Sequence, residues 1–234
     1  MYCFAGTFFL AFVASIPTPD PIAVGAMLLS MVYMGDHLCG VDFNPAVTLG
    51  AALRWAVPLS GYWRILLTAL SQFAGALSAS FMAYAVYGKV GKPSENVSID
   101  ETGHLAFEAL WSTILVYTVC SVMTSISDDP KDDRQLQRRG IAIGFVVAAG
   151  LFSAAQKGNG DIPWTSIFNP AIGTALTVVD ASMQNDSAHR LWILFLGPFL
   201  GSIFGSGLFS LLHAHKDPVG EDDDLSGTFR KGWI

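Results

Sequence analysis

Two short apolar segments, each broken by the same Asn-Pro-Ala triplet, constrain this chain more than any other feature. They run over 41–53 and 166–178, with Asn44 and Asn169 set 125 residues apart in a chain of 234. Asparagine is a preferred N-cap, and proline suits the first helical turn because its missing N–H would have had no partner there. The triplets therefore predict helices that start at Pro45 and at Pro170. Both segments are too short to cross hydrocarbon and too apolar to be ordinary loops.

Around them lie six stretches that read as helical spans, at about 2–16, 21–38, 62–87, 105–126, 140–156 and 191–212. With 52% hydrophobic and 14% charged residues and a mean hydropathy of +0.46, the chain is too apolar for a typical water-soluble domain and suits a bilayer. Unpaired backbone groups are too costly in lipid for open sheets, so the expected class is an all-α integral membrane protein. The first stretch stops at Pro17, short of the roughly 20 residues a crossing needs. Either distortion and neighbouring helices complete it, or the sequence begins inside a longer protein. Met1 leads into it without a basic segment, so it reads as a span and not as a cleavable signal.

Aligning the asparagines gives two copies of three long spans and one short one. Repeat one covers about 1–87 and repeat two about 105–212, leaving 213–234 as a cytoplasmic tail. Three crossings is an odd number, so the second copy enters the membrane from the opposite side. Such inverted repeats place a functional site at the midplane between the halves. Each short helix then aims its N-terminal dipole, equivalent to roughly half a positive charge, at the meeting point. Ala46 and Ala171 are small enough to let the two starts approach closely.

Loop charge sets the orientation. With both termini inside, only Lys89, Lys92, Lys157 and Arg190 of the 13 Lys+Arg fall on the outer side, as the positive-inside rule favours. The Asn96 and Asn185 sequons also fall outside. Ser127 to Arg139 and the tail read as solvated connections.

Several function classes recede on the same evidence of residues. A net charge of -6 gives no support to nucleic-acid binding. Cys3, Cys39 and Cys120 lie in apolar surroundings without CxxC spacing, which points to buried thiols and not to a disulfide framework or a metal site. No cofactor is implied. The five histidines, His37, His104, His189, His213 and His215, sit mostly at span edges, and no nucleophile-base spacing links them to Ser166, so an enzyme is disfavoured. A secondary transporter built on inverted repeats stays open beside a channel, as does a poorly conducting structural membrane protein.

At this point the residues resemble the aquaporin, or major intrinsic protein, family over nearly the whole chain. The run His37-Leu38-Cys39-Gly40-Val41-Asp42-Phe43-Asn44-Pro45-Ala46-Val47-Thr48-Leu49-Gly50 looks like the family's first signature, and Phe168-Asn169-Pro170-Ala171 resembles the second. Gly6-Thr7-Phe8, Gln72-Phe73-Ala74-Gly75-Ala76 and Leu196-Gly197-Pro198-Phe199-Leu200-Gly201 are similar to further family motifs. The resemblance implies six transmembrane helices plus two re-entrant half-helices, a pore in each subunit of a homotetramer, and water or small neutral solutes as permeants. It also implies that Asn44 and Asn169 present amide N–H groups to a passing oxygen, breaking the wire needed for proton hopping while the dipoles repel cations.

The sequence departs from the family at positions that bear on selectivity. Where water-selective members carry an arginine after the second triplet, this chain has Ile172. Counting from the motifs maps the rest of the outer constriction to Val24, Leu151 and Ser166, an unusually apolar ring. In these respects the chain is similar to the divergent superaquaporin branch. Members usually carry a glutamate near the start of spans one and four that accepts hydrogen bonds from the backbone entering each half-helix. Glu108 matches in the second repeat, whereas Cys3 occupies the first. Asp42 stands where common water channels have histidine, and it reads either as an inner-vestibule group or as a solvated one. His37 is expected either at the inner pore mouth or in a packing role.

Overall fold

A computed structural model of the chain describes residues 2–39, 43–54, 61–91, 100–124, 134–154, 167–184 and 190–213. They form eight α-helices: α1 (Tyr2–Ser15), α2 (Pro21–Cys39), α3 (Pro45–Arg54), α4 (Tyr62–Tyr87), α5 (Glu101–Thr124), α6 (Arg134–Ala154), α7 (Pro170–Met183) and α8 (Leu191–His213). The two helices that follow the triplets begin at Pro45 and Pro170. With 10 and 14 residues they are short. Two helices start earlier than the sequence reading placed them, α5 at Glu101 and not 105 and α6 at Arg134 and not 140. Arg134 to Arg139, read as the end of a connection, are helical, because Arg, Gln and Leu are strong helix formers that run into the apolar stretch behind them.

Among the described residues, α4, α5 and α8 are long and apolar enough to cross a membrane on their own. α1 and the Pro21–Gly35 part of α2 are apolar but shorter. At 1.5 Å per residue α1 reaches about 21 Å, less than the roughly 30 Å of a hydrocarbon core.

The helices pack in a pattern that maps onto itself when the first four exchange places with the last four. α1 packs on α4 and α2, as α5 packs on α8 and α6. The short α3 rests on α4, α8 and α5, and the short α7 on α8, α4 and α1. The pairs α2·α6 and α3·α7 are their own counterparts. Two equivalent halves therefore interlock, each short helix held by long helices from both.

The α2·α6 seam shows what such close packing demands. A Cβ on Gly25 would lie 2.5 Å from the Gly144 carbonyl oxygen, and one on Gly144 2.6 Å from that of Gly25. Only hydrogen at both positions lets the backbones meet. Gly25→Leu is expected to destabilise the fold by about 1–3 kcal/mol or more through overpacking, read as a lower unfolding temperature in detergent.

Candidate functional site: a cavity between two helix starts

The site is built where α3 and α7 begin. Asn44 caps α3, its Oδ1 accepting from the Ala46 N–H at 2.9 Å. Asn169 caps α7 in the same way, accepting from Ala171 at 3.1 Å and Ile172 at 3.4 Å. Each amide then reaches across to the other half. Asn44 Nδ2 donates to the Phe168 carbonyl at 2.7 Å, and Asn169 Nδ2 donates to the Phe43 carbonyl at 2.9 Å. The two triplets, distant in sequence, are thus joined by a reciprocal pair of buried hydrogen bonds. A carboxamide carries two N–H groups, so these contacts account for one on each asparagine.

Replacing either asparagine by aspartate separates the cap from the cross-link. The cap survives, because a carboxylate oxygen serves it equally well. The donor is lost and a buried carbonyl is left facing an anion, which is expected to cost about 1–3 kcal/mol. Thermal unfolding of Asn44→Asp and Asn169→Asp measures that loss.

The approach to α7 is strained and tightly held. Phe168 has φ 55°, the only positive φ at a non-glycine among the described residues. For a bulky side chain that conformation costs on the order of 1–3 kcal/mol and persists only where its surroundings enforce it. Glu108, fully buried on α5, supplies the enforcement: its carboxylate accepts the Ile167 N–H at 2.9 Å and the Phe168 N–H at 3.0 Å. Around the Phe168 ring, Phe107 and Trp111 pack with centroids 6.2 Å and 6.0 Å away. The α3 side is anchored differently. Thr48 Oγ1 donates to the Asn44 carbonyl at 3.1 Å and accepts from Gln72 Nε2 at 3.0 Å, tying the start of α3 to α4.

A cavity runs past both asparagines. Val24, Leu151 and Ile172 line it together with Asn44, Asn169, Phe43 and Ile167. The volume open to water centres is about 30 Å³, room for about two waters where one needs roughly 10–15 Å³. Ala46 and Ala171 are buried beside it, 1% and 0% exposed, in keeping with the close approach of the helix starts. Three of the four residues mapped to the outer constriction therefore share one void with Asn44 and Asn169. Ser166, Asp42 and the side chain of His37 lie outside the described residues.

The wall contains further residues that counting from the motifs did not find. Leu10 and Ala14 of α1, Leu28 of α2, Leu115 and Val119 of α5, and Ile143 and Val147 of α6 all face the void. Their spacing was a usable signal, since 10/14, 24/28, 115/119 and 143/147/151 are i, i+4 rows that share one helix face. Apart from the two asparagines the lining residues are apolar, all of them aliphatic but Phe43. Two helix N-termini, each equivalent to roughly half a positive charge, point at it.

Comparison with known proteins agrees with this arrangement. The family model for the major intrinsic protein matches residues 15–209. The chain is 26% identical over 215 residues to aquaporin NIP2-2 of Zea mays, covering 89% of this chain and 65% of that relative. It is 28% identical over 202 residues to aquaporin Z of Photorhabdus laumondii, covering 83% and 82% of the two chains. The first relative is thus matched over less than two thirds of its length. In fold, the chain is similar to the X-ray structure of the aquaglyceroporin from Plasmodium falciparum, with a TM-score of 0.67, 18% identity, and coverage of 89% and 93%. Apolar helices and an integral membrane setting fit together here, and a family match over most of the chain leads to one conclusion: this protein belongs to the major intrinsic protein, or aquaporin, family.

Proposed function

We propose that the chain is a passive transmembrane channel for water and small neutral solutes, and not an enzyme. The observation that carries this reading is that both capping asparagines line the same void. Asn44 and Asn169 each keep an amide N–H beyond the one spent on the opposite loop, and that N–H serves a passing oxygen. The aligned half-helix dipoles oppose cations at the same place. Val24, Leu151 and Ile172 form the outer constriction, with Ser166 as its fourth member, while Glu108 supports the second pore loop. His37 and Asp42 belong to the inner vestibule.

The inverted halves, six spans with cytoplasmic termini, and a homotetramer complete the proposal. Repeat one is about 1–87, repeat two about 105–212, and the remaining 213–234 a cytoplasmic tail. The self-matching helix contacts support the two halves.

With no arginine in the ring, cation exclusion rests mainly on the two dipoles. An aliphatic wall also strips water of hydrogen-bond partners while lowering the barrier to less polar solutes. Water flux is therefore expected to be slow relative to that through a polar constriction. Stopped-flow light scattering of reconstituted protein with water, glycerol, urea and hydrogen peroxide gradients tests the reading. Faster relaxation than in protein-free vesicles for at least one of them supports it, and identical relaxation for all four refutes it.

A further inference from the structure

We propose that in the first half of the molecule an aromatic wedge centred on Tyr2 positions Phe43, and through its carbonyl the Asn169 amide, in place of a buried carboxylate. The consequence for flux rests on the channel reading above, whereas the positioning itself is a statement about the fold.

The two halves differ where they are expected to match. The cavity-lining pairs Leu10/Ala14 and Leu115/Val119 align α1 with α5, setting Cys3 opposite Glu108 and Tyr2 opposite Phe107. In the second half the backbone N–H groups of Ile167 and Phe168 end on the Glu108 carboxylate. At the aligned position Cys3 carries a thiol, a weaker acceptor than a carboxylate.

What the first half has instead is a tethered ring. Tyr2 Oη donates to the Met31 carbonyl of α2 at 3.1 Å, and the ring lies 5.9 Å from that of Phe43. Gly35, one turn beyond Met31, leaves the slot the ring fills: a Cβ there would sit 1.7 Å from Tyr2 Cε1. Gly6, four residues after Tyr2 on the same face of α1, leaves room for the Phe43 ring, since a Cβ there would clash with Phe43 Cε1. Phe43 is 1% exposed, and its carbonyl accepts the Asn169 amide. Contacts thus run unbroken from α2 through Tyr2 and Phe43 to Asn169. The counterpart ring, Phe107, touches Phe168 but has no hydroxyl to tether it. A hydroxyl stands where the carboxylate is missing, and a carboxylate where the hydroxyl is missing.

The test is the ratio of urea to water permeability in vesicles containing the full chain. Tyr2→Leu is expected to change the ratio about tenfold, the equivalent of one buried hydrogen bond's worth of positioning. Gly35→Ala, which evicts the ring while leaving Tyr2 in the sequence, should do the same. The double variant should be no worse than either single one, because both break one contact chain. Adding Cys3→Glu to Tyr2→Leu should restore the ratio, an outcome that simple loss of packing does not produce. An unchanged ratio in both single variants overturns the proposal, and so does failure of Cys3→Glu to rescue. The side-chain amide resonance of Asn169 provides a second readout that needs no flux. It should move in Tyr2→Phe, and if it stays in place the positioning claim is wrong even should Tyr2→Leu not fold. Absence of any flux in the unmodified protein would refute the channel reading, while the resonance still decides the wedge.

Discussion

Glu108→Ala should unfold the second pore loop and abolish flux. The carboxylate is fully buried and receives two backbone N–H groups, those of Ile167 and Phe168. Truncation leaves both donors buried and unpaired, at about 1–3 kcal/mol each. It also removes the restraint that keeps Phe168 at its positive φ, so the segment is free to relax to an ordinary conformation. Relaxation carries the Phe168 carbonyl away from Asn44 Nδ2 and breaks one of the two cross-links between the triplets. Glu108→Gln keeps one acceptor oxygen and should lie between the two, with flux lowered and the fold retained. Thermal unfolding in detergent and flux in vesicles measure both parts. A Glu108→Gln protein with normal stability and normal conduction would remove the basis for the supporting role.

The second large effect is expected at Ile172. Ile172 is 2% exposed and shares the void with Val24 and Leu151, where the open volume is only about 30 Å³. An arginine there is longer than the isoleucine it replaces, so its guanidinium must project into that space. Its charge adds to the barrier against cations, and its N–H groups offer donors to water. Urea permeability is therefore expected to fall about tenfold or more, a change of roughly 1.4 kcal/mol in the barrier, with water reduced less. Ile172→Ala should act in the opposite direction by widening the ring. If the arginine substitution leaves both urea and water permeability unchanged, Ile172 is not part of the constriction.

The parts of this molecule that read clearly from sequence are those where backbone chemistry restricts the choice of residue. Asn44 and Asn169 announced two helix starts because a cap followed by proline has few other uses, and both helices begin at those prolines. Glu108 stood out since an acid at membrane depth needs partners, and the Ile167 and Phe168 N–H groups are among those it has. The cavity wall was far less legible. Leu10, Leu28, Leu115 and Val147 face the void, while Leu66, Leu70, Phe145 and Leu211 are exposed on the outside. In a bilayer both environments favour aliphatic side chains, so composition cannot tell pore-facing from lipid-facing residues. Helical spacing groups them onto faces without saying which face is which.

The Tyr2 wedge was hidden for another reason. Its meaning lies in a contact between residues 2, 35 and 43 that only the packing of α1 on α2 creates. Cys3 was visible as a departure from the family pattern, but the neighbour that takes over its task was not. Strain at Phe168 was likewise illegible, because nothing in its side chain requires a positive φ.

The temperature dependence and concentration dependence of solute flux through the reconstituted protein address the central claim most directly. A continuous passive conduit past Asn44 and Asn169 predicts flux that rises linearly with the solute gradient and varies with temperature less steeply than leakage across bare lipid. Flux that saturates, or that requires an ion gradient, would instead identify an alternating-access carrier and contradict the channel.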